Sequence, residues 1–253
     1  LHALEQHTHP AWQRLKFDEL LAQQLSMRKF RRAREQRRAP VLPSGRQLTQ
    51  QLLGTLPFKL TNAQHRCLAE IRQDLSQPHP MRRLLQGDVG SGKTIVAALA
   101  CAQAIDAGYQ AALMAPTEIL AEQHFRKIDA LLSPLGITTA WLTGALRRKD
   151  KTKAIERVAD GSAQLIIGTH ALFQGEVQFK KLGLAVIDEQ HRFGVAQRLA
   201  LHDKGTSKRK GQETEPHQLM MSATPIPRTL SMSYFADLDV SVIDELPPGR
   251  TPV

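Results

Sequence analysis

Short apolar runs and amphipathic spans alternate along most of the chain after residue 80. The short runs predict strands at residues 83–86, 110–115, 138–142, 164–168, 184–187, 218–221 and 240–243. The amphipathic spans predict helices at residues 94–106, 118–132, 147–159 and 194–201, and another that Thr61 and Asn62 would cap and that runs to residue 75. Because short apolar strands alternating with helices are typical of parallel sheets, the sequence predicts an α/β fold: a mostly parallel sheet with helices on both faces.

One continuous helical pattern precedes this alternation, at residues 17–38. Its apolar side consists of Phe17, Leu20, Leu21, Leu25 and Met27. Its second half, residues 28–38, is strongly basic. Pro40 and Pro43 end the pattern, and residues 44–55 form a polar connector with two glycines. The sequence therefore predicts a long basic helix before the α/β part, attached to a segment further upstream.

A glycine-rich segment follows the first predicted strand. Its eight residues match the pattern G-x-x-x-x-G-K-T and are Gly87, Asp88, Val89, Gly90, Ser91, Gly92, Lys93 and Thr94. Glycines let backbone N–H groups point toward a phosphate chain, and the N-terminus of the following helix adds partial positive charge. Lys93 would reach the β/γ phosphates, and the Thr94 hydroxyl would bind Mg²⁺. The segment favours a nucleoside triphosphate site over a simple glycine turn.

Two carboxylates follow the apolar run at residues 184–187. The carboxyl ends of parallel strands meet at one edge of a sheet, so we expect Asp188 and Glu189 beside the glycine-rich segment of residues 87–94, the phosphate loop. Asp188 would bind Mg²⁺ through water, and Glu189 would orient and deprotonate the attacking water. An acidic turn at a strand end is the alternative, and the presence of Lys93 and Thr94 makes it the weaker one.

Composition narrows the classes of partner and compartment. The formal net charge of +10 favours a polyanionic partner, although a generally basic protein would show it as well. Cys67 and Cys101 form no C-x-x-C pair, so disulfide and zinc sites are disfavoured and a reducing cytoplasm fits best. No apolar run approaches membrane-spanning length, and we expect no membrane partner. Residues 203–216 carry charges of both signs and predict a surface loop.

Further short motifs accompany the phosphate loop. Asp188-Glu189-Gln190-His191 resembles a DExH box, and Ser222-Ala223-Thr224 resembles a motif that couples nucleotide state to nucleic acid. In this order and spacing, these motifs resemble the superfamily 2 helicases. That resemblance implies a RecA-like P-loop NTPase lobe that uses ATP and Mg²⁺, with Lys93, Asp188, Glu189 and His191 as catalytic residues.

The same resemblance extends to base and nucleic-acid contacts. Phe58 and Gln64 resemble the adenine-recognising segment of the family, in which Gln64 would bond the base edge. The segment 115–118, followed by Gln123 and His124, resembles its first strand-contacting motif. Nucleic-acid contacts are thereby implied at Pro116, Thr117, Thr143, Gly144, Thr169 and His170.

Longer runs carry a more specific resemblance. Residues 87–94, 188–195, 222–229 and 244–250 together resemble RecG, a family of bacterial branched-DNA helicases. The transcription-repair coupling translocases, whose partner is RNA polymerase, share part of these runs and are the alternative. They usually have glutamate where Gln190 stands and a bulky residue where Ser91 stands, so these two positions favour the RecG family.

The resemblance also implies a domain organisation and partners. Residues 1–55 would be a helical linker from a missing wedge domain, residues 56–246 the ATP-binding lobe, and residues 247–253 the start of a connection to a missing second lobe. The implied function is an ATP-dependent DNA helicase, an ATP hydrolase that remodels stalled replication forks and four-way junctions in DNA recombination and repair. It would act as a cytoplasmic monomer beside the single-strand DNA-binding protein of the cell.

Turnover by this chain alone is expected to be very slow. In this family an arginine from the second lobe completes the site, and such an arginine is worth roughly 10³ to 10⁵ in turnover. The chain would then bind ATP and hydrolyse little of it. A nucleotide-dependent DNA-binding module without turnover is the alternative from a different class.

Neutralising Arg31, Arg32 and Arg34 tests the role of the basic helix. If these arginines contact phosphates, the change will weaken DNA binding and flatten the dependence of log affinity on log salt concentration, because fewer counterions are released. The alternative is a solvated helix face. DNA-binding titrations at several salt concentrations distinguish the two, and an unchanged slope would leave only the solvated face.

Overall fold

Seven parallel strands form the main sheet of the computed structural model, which describes residues 10–44, 47–173, 176–188, 207–209, 212–223 and 238–247. In chain order the strands are β1 (Arg82–Gly87), β2 (Gln110–Met114), β3 (Thr139–Leu142), β4 (Leu165–Gly168), β5 (Leu182–Asp188), β6 (Ser207–Arg209), β7 (Gln212–Thr214), β8 (His217–Ser222) and β9 (Asp239–Ile243). The main sheet has the order β3-β4-β2-β5-β8-β1-β9, and β6 pairs with β7 in a separate antiparallel sheet.

All seven predicted strands are present, and their bounds lie within two residues of the prediction. Every pairing in the main sheet is parallel. All residues of β2, β4, β5 and β8 are buried, which is why β2, β4 and β5 read as nearly continuous apolar runs rather than as alternating ones. The predicted α/β fold with a parallel sheet is confirmed.

Six α-helices lie in the described ranges: α1 (Pro10–Glu35), α2 (Gln47–Thr55), α3 (Asn62–Leu75), α4 (Lys93–Asp106), α5 (Glu118–Leu132) and α6 (Arg148–Ala159). Thr61 caps α3 as predicted: its hydroxyl accepts a hydrogen bond from the Gln64 N–H, and the Gln64 side chain accepts one from the Thr61 N–H. Residues 96–105 of α4 are all buried, so α4 is a central helix of the core. The helix predicted at residues 194–201 lies outside the described residues.

The chain divides into two units, which are Leu1–Gln36 with Ile226–Leu238 and Arg37–Pro225 with Asp239–Val253. Helix α1 belongs to the first unit and begins and ends earlier than the predicted span of residues 17–38. The large residues of its expected apolar side are exposed: Phe17, Leu20, Leu21 and Leu25. None of the helices in the described ranges combines the length and apolar character needed to span a bilayer.

Residues 37–55 differ from the expected polar connector, because they pack into the second unit. Leu42, Leu48 and Leu52 are buried in its core, and the last two lie four residues apart on one face of α2. The Asp106 carboxylate accepts hydrogen bonds from the backbone N–H groups of Leu48 and Thr49 and so caps α2. The compact unit therefore begins at Arg37, before the boundary expected after residue 55.

The segment expected to be a charged surface loop, residues 203–216, contains the β6–β7 hairpin. Ser207 pairs with Thr214 and Arg209 pairs with Gln212, so only two residues separate the strands, the loop length typical of a tight hairpin. The last residues of the segment are buried. Glu215 forms a salt bridge with Arg37 at 3.1 Å, which explains why a carboxylate lies at a buried position.

His217 joins the connector to the amino edge of the sheet. Its side chain is fully buried; Nδ1 accepts a hydrogen bond from the Met81 N–H at 3.0 Å, and Nε2 donates one to the Pro40 carbonyl at 2.7 Å. Both ring nitrogens are thus engaged in the neutral form. Burial lowers the pKa of His217 from its ordinary value of 6.5 to about 4, against the opposing effect of the Pro40 carbonyl.

The buried His217 predicts a loss of stability in acid. Between pH 6.5 and about 4 the unfolded chain binds a proton at this position that the folded chain does not, so the unfolding free energy falls as the pH falls. The slope from this group is about 1.4 kcal/mol per pH unit, and its contribution is constant above pH 6.5.

Urea unfolding of the wild type and of His217→Gln at several pH values between 4.5 and 7.5 measures this slope. We expect the wild type to lose stability more steeply than the variant, since glutamine does not titrate. Parallel profiles for the two proteins would show that His217 does not titrate in this range.

Candidate functional site

The phosphate loop lies between β1 and α4 at the carboxyl edge of the sheet, as predicted. Gly90 and Gly92 have φ angles of 85° and 89°, which is the left-handed region that glycine adopts without a steric penalty. Gly92 is the N-cap of α4, and no side chain caps this helix. The helix N-terminus therefore presents its backbone dipole toward the loop, which suits an anion.

Lys93 lies over this loop. Its Nζ atom donates hydrogen bonds to the Gly87 carbonyl at 2.6 Å and the Asp88 carbonyl at 2.9 Å. The ammonium group and the helix N-terminus both place positive charge at the phosphate loop. Asp88 and Val89 of this loop are exposed to solvent. The arrangement can hold a phosphate chain.

Gln64, the expected base contact, is buried against the loop. Its Nε2 atom donates to the Ser91 carbonyl at 2.7 Å, and its Oε1 atom accepts from the Thr61 N–H at 3.0 Å. A primary amide has a second N–H and a second lone pair, so both atoms keep some capacity for a ligand. The structure thus gives Gln64 a contact with the loop that its motif did not predict, and the base contact stays a prediction. Phe58, its expected companion, is half-exposed.

Asp188 ends β5 at the same edge of the sheet, and β8 lies between it and the phosphate loop. In register, Asp188 pairs with Met221 of β8, which in turn pairs with Leu85 of β1. Since neighbouring strands lie about 4.8 Å apart, the carboxylate strand is two spacings, about 10 Å, from the loop strand. Asp188 is therefore near the loop but across β8 from it. Glu189 and His191 lie outside the described residues.

The expected coupling residues begin in the strand between these two groups. Ser222 ends β8 and is buried, and Ala223 follows it. Strand β8 pairs with β5 on one side and with β1 on the other, so its carboxyl end adjoins both Asp188 and the strand that precedes the phosphate loop. Thr224, the third residue of the motif, lies outside the described residues.

The predicted nucleic-acid contacts lie at the other half of the same edge. Pro116 and Thr117 follow β2, Thr143 and Gly144 follow β3, and Thr169 and His170 follow β4. Thr117, Gly144 and His170 are exposed, whereas Thr143 and Thr169 are buried. The Glu118 carboxylate accepts a hydrogen bond from the Ala145 N–H at 3.1 Å, which joins the first two of these loops.

The basic residues of α1 belong to the other unit of the chain. Arg31 and Arg32 are exposed, but Arg34 is only 8% exposed. Arg31 and Arg32 are therefore accessible to a phosphate backbone, whereas the Arg34 side chain is largely removed from solvent.

The oxygen donors in the site fit Mg²⁺. Thr94 supplies a hydroxyl in the first turn of α4, and Asp188 supplies a carboxylate across β8. Mg²⁺ prefers oxygen ligands and binds proteins through few of them.

Sequence reasoning missed one member of this site, His124, whose side chain contacts Asp188. It had appeared only as part of a nucleic-acid motif, because a contact between residues 64 positions apart leaves no local pattern.

Comparisons with known proteins show the family of the chain. A family model described as DEAD/DEAH box helicase matches residues 61–233. The chain is 56% identical to the ATP-dependent DNA helicase RecG of Haemophilus influenzae over 253 residues, which cover 100% of this chain and 36% of that protein. It is 55% identical to RecG of Escherichia coli K12 over 250 residues, which cover 99% of this chain and 36% of that protein. The chain thus spans 36% of the length of these curated relatives.

Solved structures of helicases also match the fold of the chain. A structure of RecG bound to a three-way DNA junction matches with a TM-score of 0.79 at 44% identity, over 95% of this chain and 31% of that chain. The DUF1998 helicase MrfA bound to DNA matches with a TM-score of 0.61 at 18% identity, over 81% of this chain and 30% of that chain, and so shows the fold alone.

Replacing Gly92 by alanine tests the contact between Gln64 and the loop. A Cβ atom at position 92 would lie 2.2 Å from Gln64 Nε2, and the buried Gln64 side chain can move only by giving up its hydrogen bonds. Gly108 has a similar φ of 80° but nothing within 4 Å of an added Cβ, so Gly108→Ala carries the backbone strain alone, about 1 to 2 kcal/mol.

We expect Gly92→Ala to lose more unfolding free energy than Gly108→Ala in urea titrations, because it loses the Gln64 contacts in addition to the backbone strain. Equal losses would show that Gln64 leaves the loop at no cost.

Proposed function

The chain belongs to the DEAD/DEAH box helicases, and we propose that it is the ATP-binding motor lobe of a helicase that remodels branched DNA. The observation that supports this most directly is the phosphate loop: Lys93 Nζ lies 2.6 Å and 2.9 Å from two carbonyls of a loop that ends at an uncapped helix N-terminus. Such a loop concentrates positive charge and backbone donors where a triphosphate would bind.

The residues around the loop divide the work on the nucleotide. Lys93 would neutralise charge on the β/γ phosphates, the Thr94 hydroxyl would bind Mg²⁺, and the Asp188 carboxylate would bind it through water. A bound Mg²⁺ would supply further neutralisation of the phosphate oxygens. Glu189 orients the attacking water and accepts its proton, as its position directly after Asp188 suggests. His191 completes the catalytic set in this proposal.

Recognition of the base involves the segment before α3. The half-exposed Phe58 offers an apolar surface, and Gln64 offers its remaining amide hydrogen and lone pair to an adenine edge. Gln64 also donates a hydrogen bond to the Ser91 carbonyl, so a base that hydrogen-bonds Gln64 would be linked to the phosphate loop through this one side chain. ATP is therefore the proposed nucleotide.

The nucleic-acid partner is proposed to be branched DNA, such as forks and four-way junctions. The net charge of +10 suits a phosphate backbone, and loops after β2, β3 and β4 offer Thr117, Gly144 and His170 at one exposed edge. The relative of known structure at 44% identity is bound to a three-way DNA junction, which supports this class of substrate.

Two alternatives make different predictions. A transcription-repair coupling translocase would bind RNA polymerase, but the relatives at 55% and 56% identity carry the name RecG, which favours the DNA-remodelling helicase. A binding module without turnover would hold ATP and DNA but show no DNA-stimulated hydrolysis. ATP turnover by the full-length parent protein, measured with forked, linear and no DNA and with Glu189→Gln as the control for contaminating ATPases, separates it from a motor. We further propose a cytoplasmic monomer that works beside the single-strand DNA-binding protein.

Replacing Lys93 by alanine tests the nucleotide site. The change removes the ammonium group that neutralises the phosphates, and we expect the binding free energy of Mg²⁺·ATP to weaken by about 2 kcal/mol or more, the scale of a charged hydrogen bond. Isothermal titration calorimetry measures the change.

Lys127→Ala is the matched control, because Lys127 is an exposed lysine on α5 and its loss alters the net charge equally. Equal ATP affinities for the wild type and Lys93→Ala would show that ATP does not bind at this loop.

A further inference from the structure

His124 forms a short, buried hydrogen bond with Asp188. Its Nε2 atom lies 2.6 Å from Oδ2 of Asp188, and the two side chains are each only 11% exposed. His124 lies on α5 and Asp188 at the end of β5, so the contact joins two elements that are distant in the sequence. A hydrogen bond of this length to a carboxylate is at the strong end of the range for proteins.

The surroundings of the ring assign the direction of this bond. An ionised carboxylate can only accept, so Nε2 carries the proton and donates it. The other ring nitrogen, Nδ1, is buried without a hydrogen-bond partner in the part of the chain that the structure describes. This hydrogen bond restrains rotation of the Asp188 carboxylate about its Cβ–Cγ bond.

The helix that carries His124 starts in the predicted nucleic-acid segment. Thr117 caps α5, its hydroxyl accepting a hydrogen bond from the Leu120 N–H at 3.3 Å, and Glu118 is the first helical residue. Glu118 also bonds the loop after β3 through the Ala145 N–H. A single helix thus connects the loops after β2 and β3 to the Asp188 carboxylate.

We propose that His124 is a positioning residue that orients the Asp188 carboxylate toward Mg²⁺·nucleotide. This inference rests on the proposed function, since it assigns a role to Asp188 within that site. Partners that hydrogen-bond a metal-binding carboxylate fix its geometry, and their loss typically lowers metal affinity 10- to 100-fold. His124 acts through Asp188 and touches neither the nucleotide nor the metal in this scheme.

The test measures how much Mg²⁺ is needed for tight nucleotide binding. A fluorescent, non-hydrolysable ATP analogue is bound to the wild type, His124→Ala, His124→Gln and Arg126→Ala while MgCl₂ is titrated, and its affinity in EDTA is measured separately. We expect His124→Ala to raise the Mg²⁺ midpoint about tenfold or more and to leave the affinity in EDTA unchanged. Arg126→Ala, an exposed change on the same helix, is expected to match the wild type.

The glutamine variant distinguishes positioning from packing. The amide nitrogen of glutamine is as many bonds from Cβ as histidine Nε2, so His124→Gln can still donate to Asp188 and is expected to restore most of the Mg²⁺ affinity. His124→Asn cannot reach as far and is expected to behave like His124→Ala. A merely structural role would change the melting temperature of the variants without separating glutamine from asparagine.

Each failure has a distinct meaning. If the wild type shows no Mg²⁺-dependent binding of the analogue, the proposed function is wrong. If the wild type binds and folded His124→Ala has the same Mg²⁺ midpoint, only the role of His124 is wrong. If the alanine and asparagine variants both fail to fold by circular dichroism, the residue is structural and the inference is overturned.

Discussion

The parallel direction of all seven strands in the main sheet is the constraint on which the described site depends. Because every strand in it ends at the same edge, the carboxyl ends of β1, β2, β3, β4, β5 and β8 lie side by side although they are far apart in the chain. Parallel pairing needs crossover helices, which cover the faces of the sheet and bury the strands. The edge is then where polar groups, backbone donors and charges can meet a ligand without entering the core.

The order of the strands divides this edge into two parts. The loops after β3, β4 and β2 carry the proposed nucleic-acid contacts, whereas β5, β8 and β1 carry Asp188, Ser222 and the phosphate loop. Two connections cross between the functional groups. Strand β8 lies between the carboxylate and the loop, and α5 runs from the Thr117 cap to His124, which bonds Asp188. Each element therefore contacts residues of both functional groups.

The amino edge of the sheet holds the connector that precedes α2. There the connector that begins at Arg37 is tied down by Leu42 in the core, by the pair of Arg37 with Glu215, and by the bond from His217 to the Pro40 carbonyl. These contacts are buried or partly buried, and they lie opposite the phosphate loop. The chain is thus anchored at one edge of the sheet and leaves the other edge open for chemistry.

Reasoning from the local sequence predicted the seven strands and most of the helices by their periodicity, and the phosphate loop by its G-x-x-x-x-G-K-T motif, because these depend on residues close together in the chain. It missed α2, whose two core leucines lie in a polar stretch, and the short hairpin near Glu215, whose charges resemble those of a loop. It also placed Asp188 beside the phosphate loop without the intervening β8, since strand order is set by packing of the whole sheet. The contacts of His124 with Asp188 and of Gln64 with Ser91 were decided by the tertiary structure, because each joins residues whose separation in the chain carries no periodic signal.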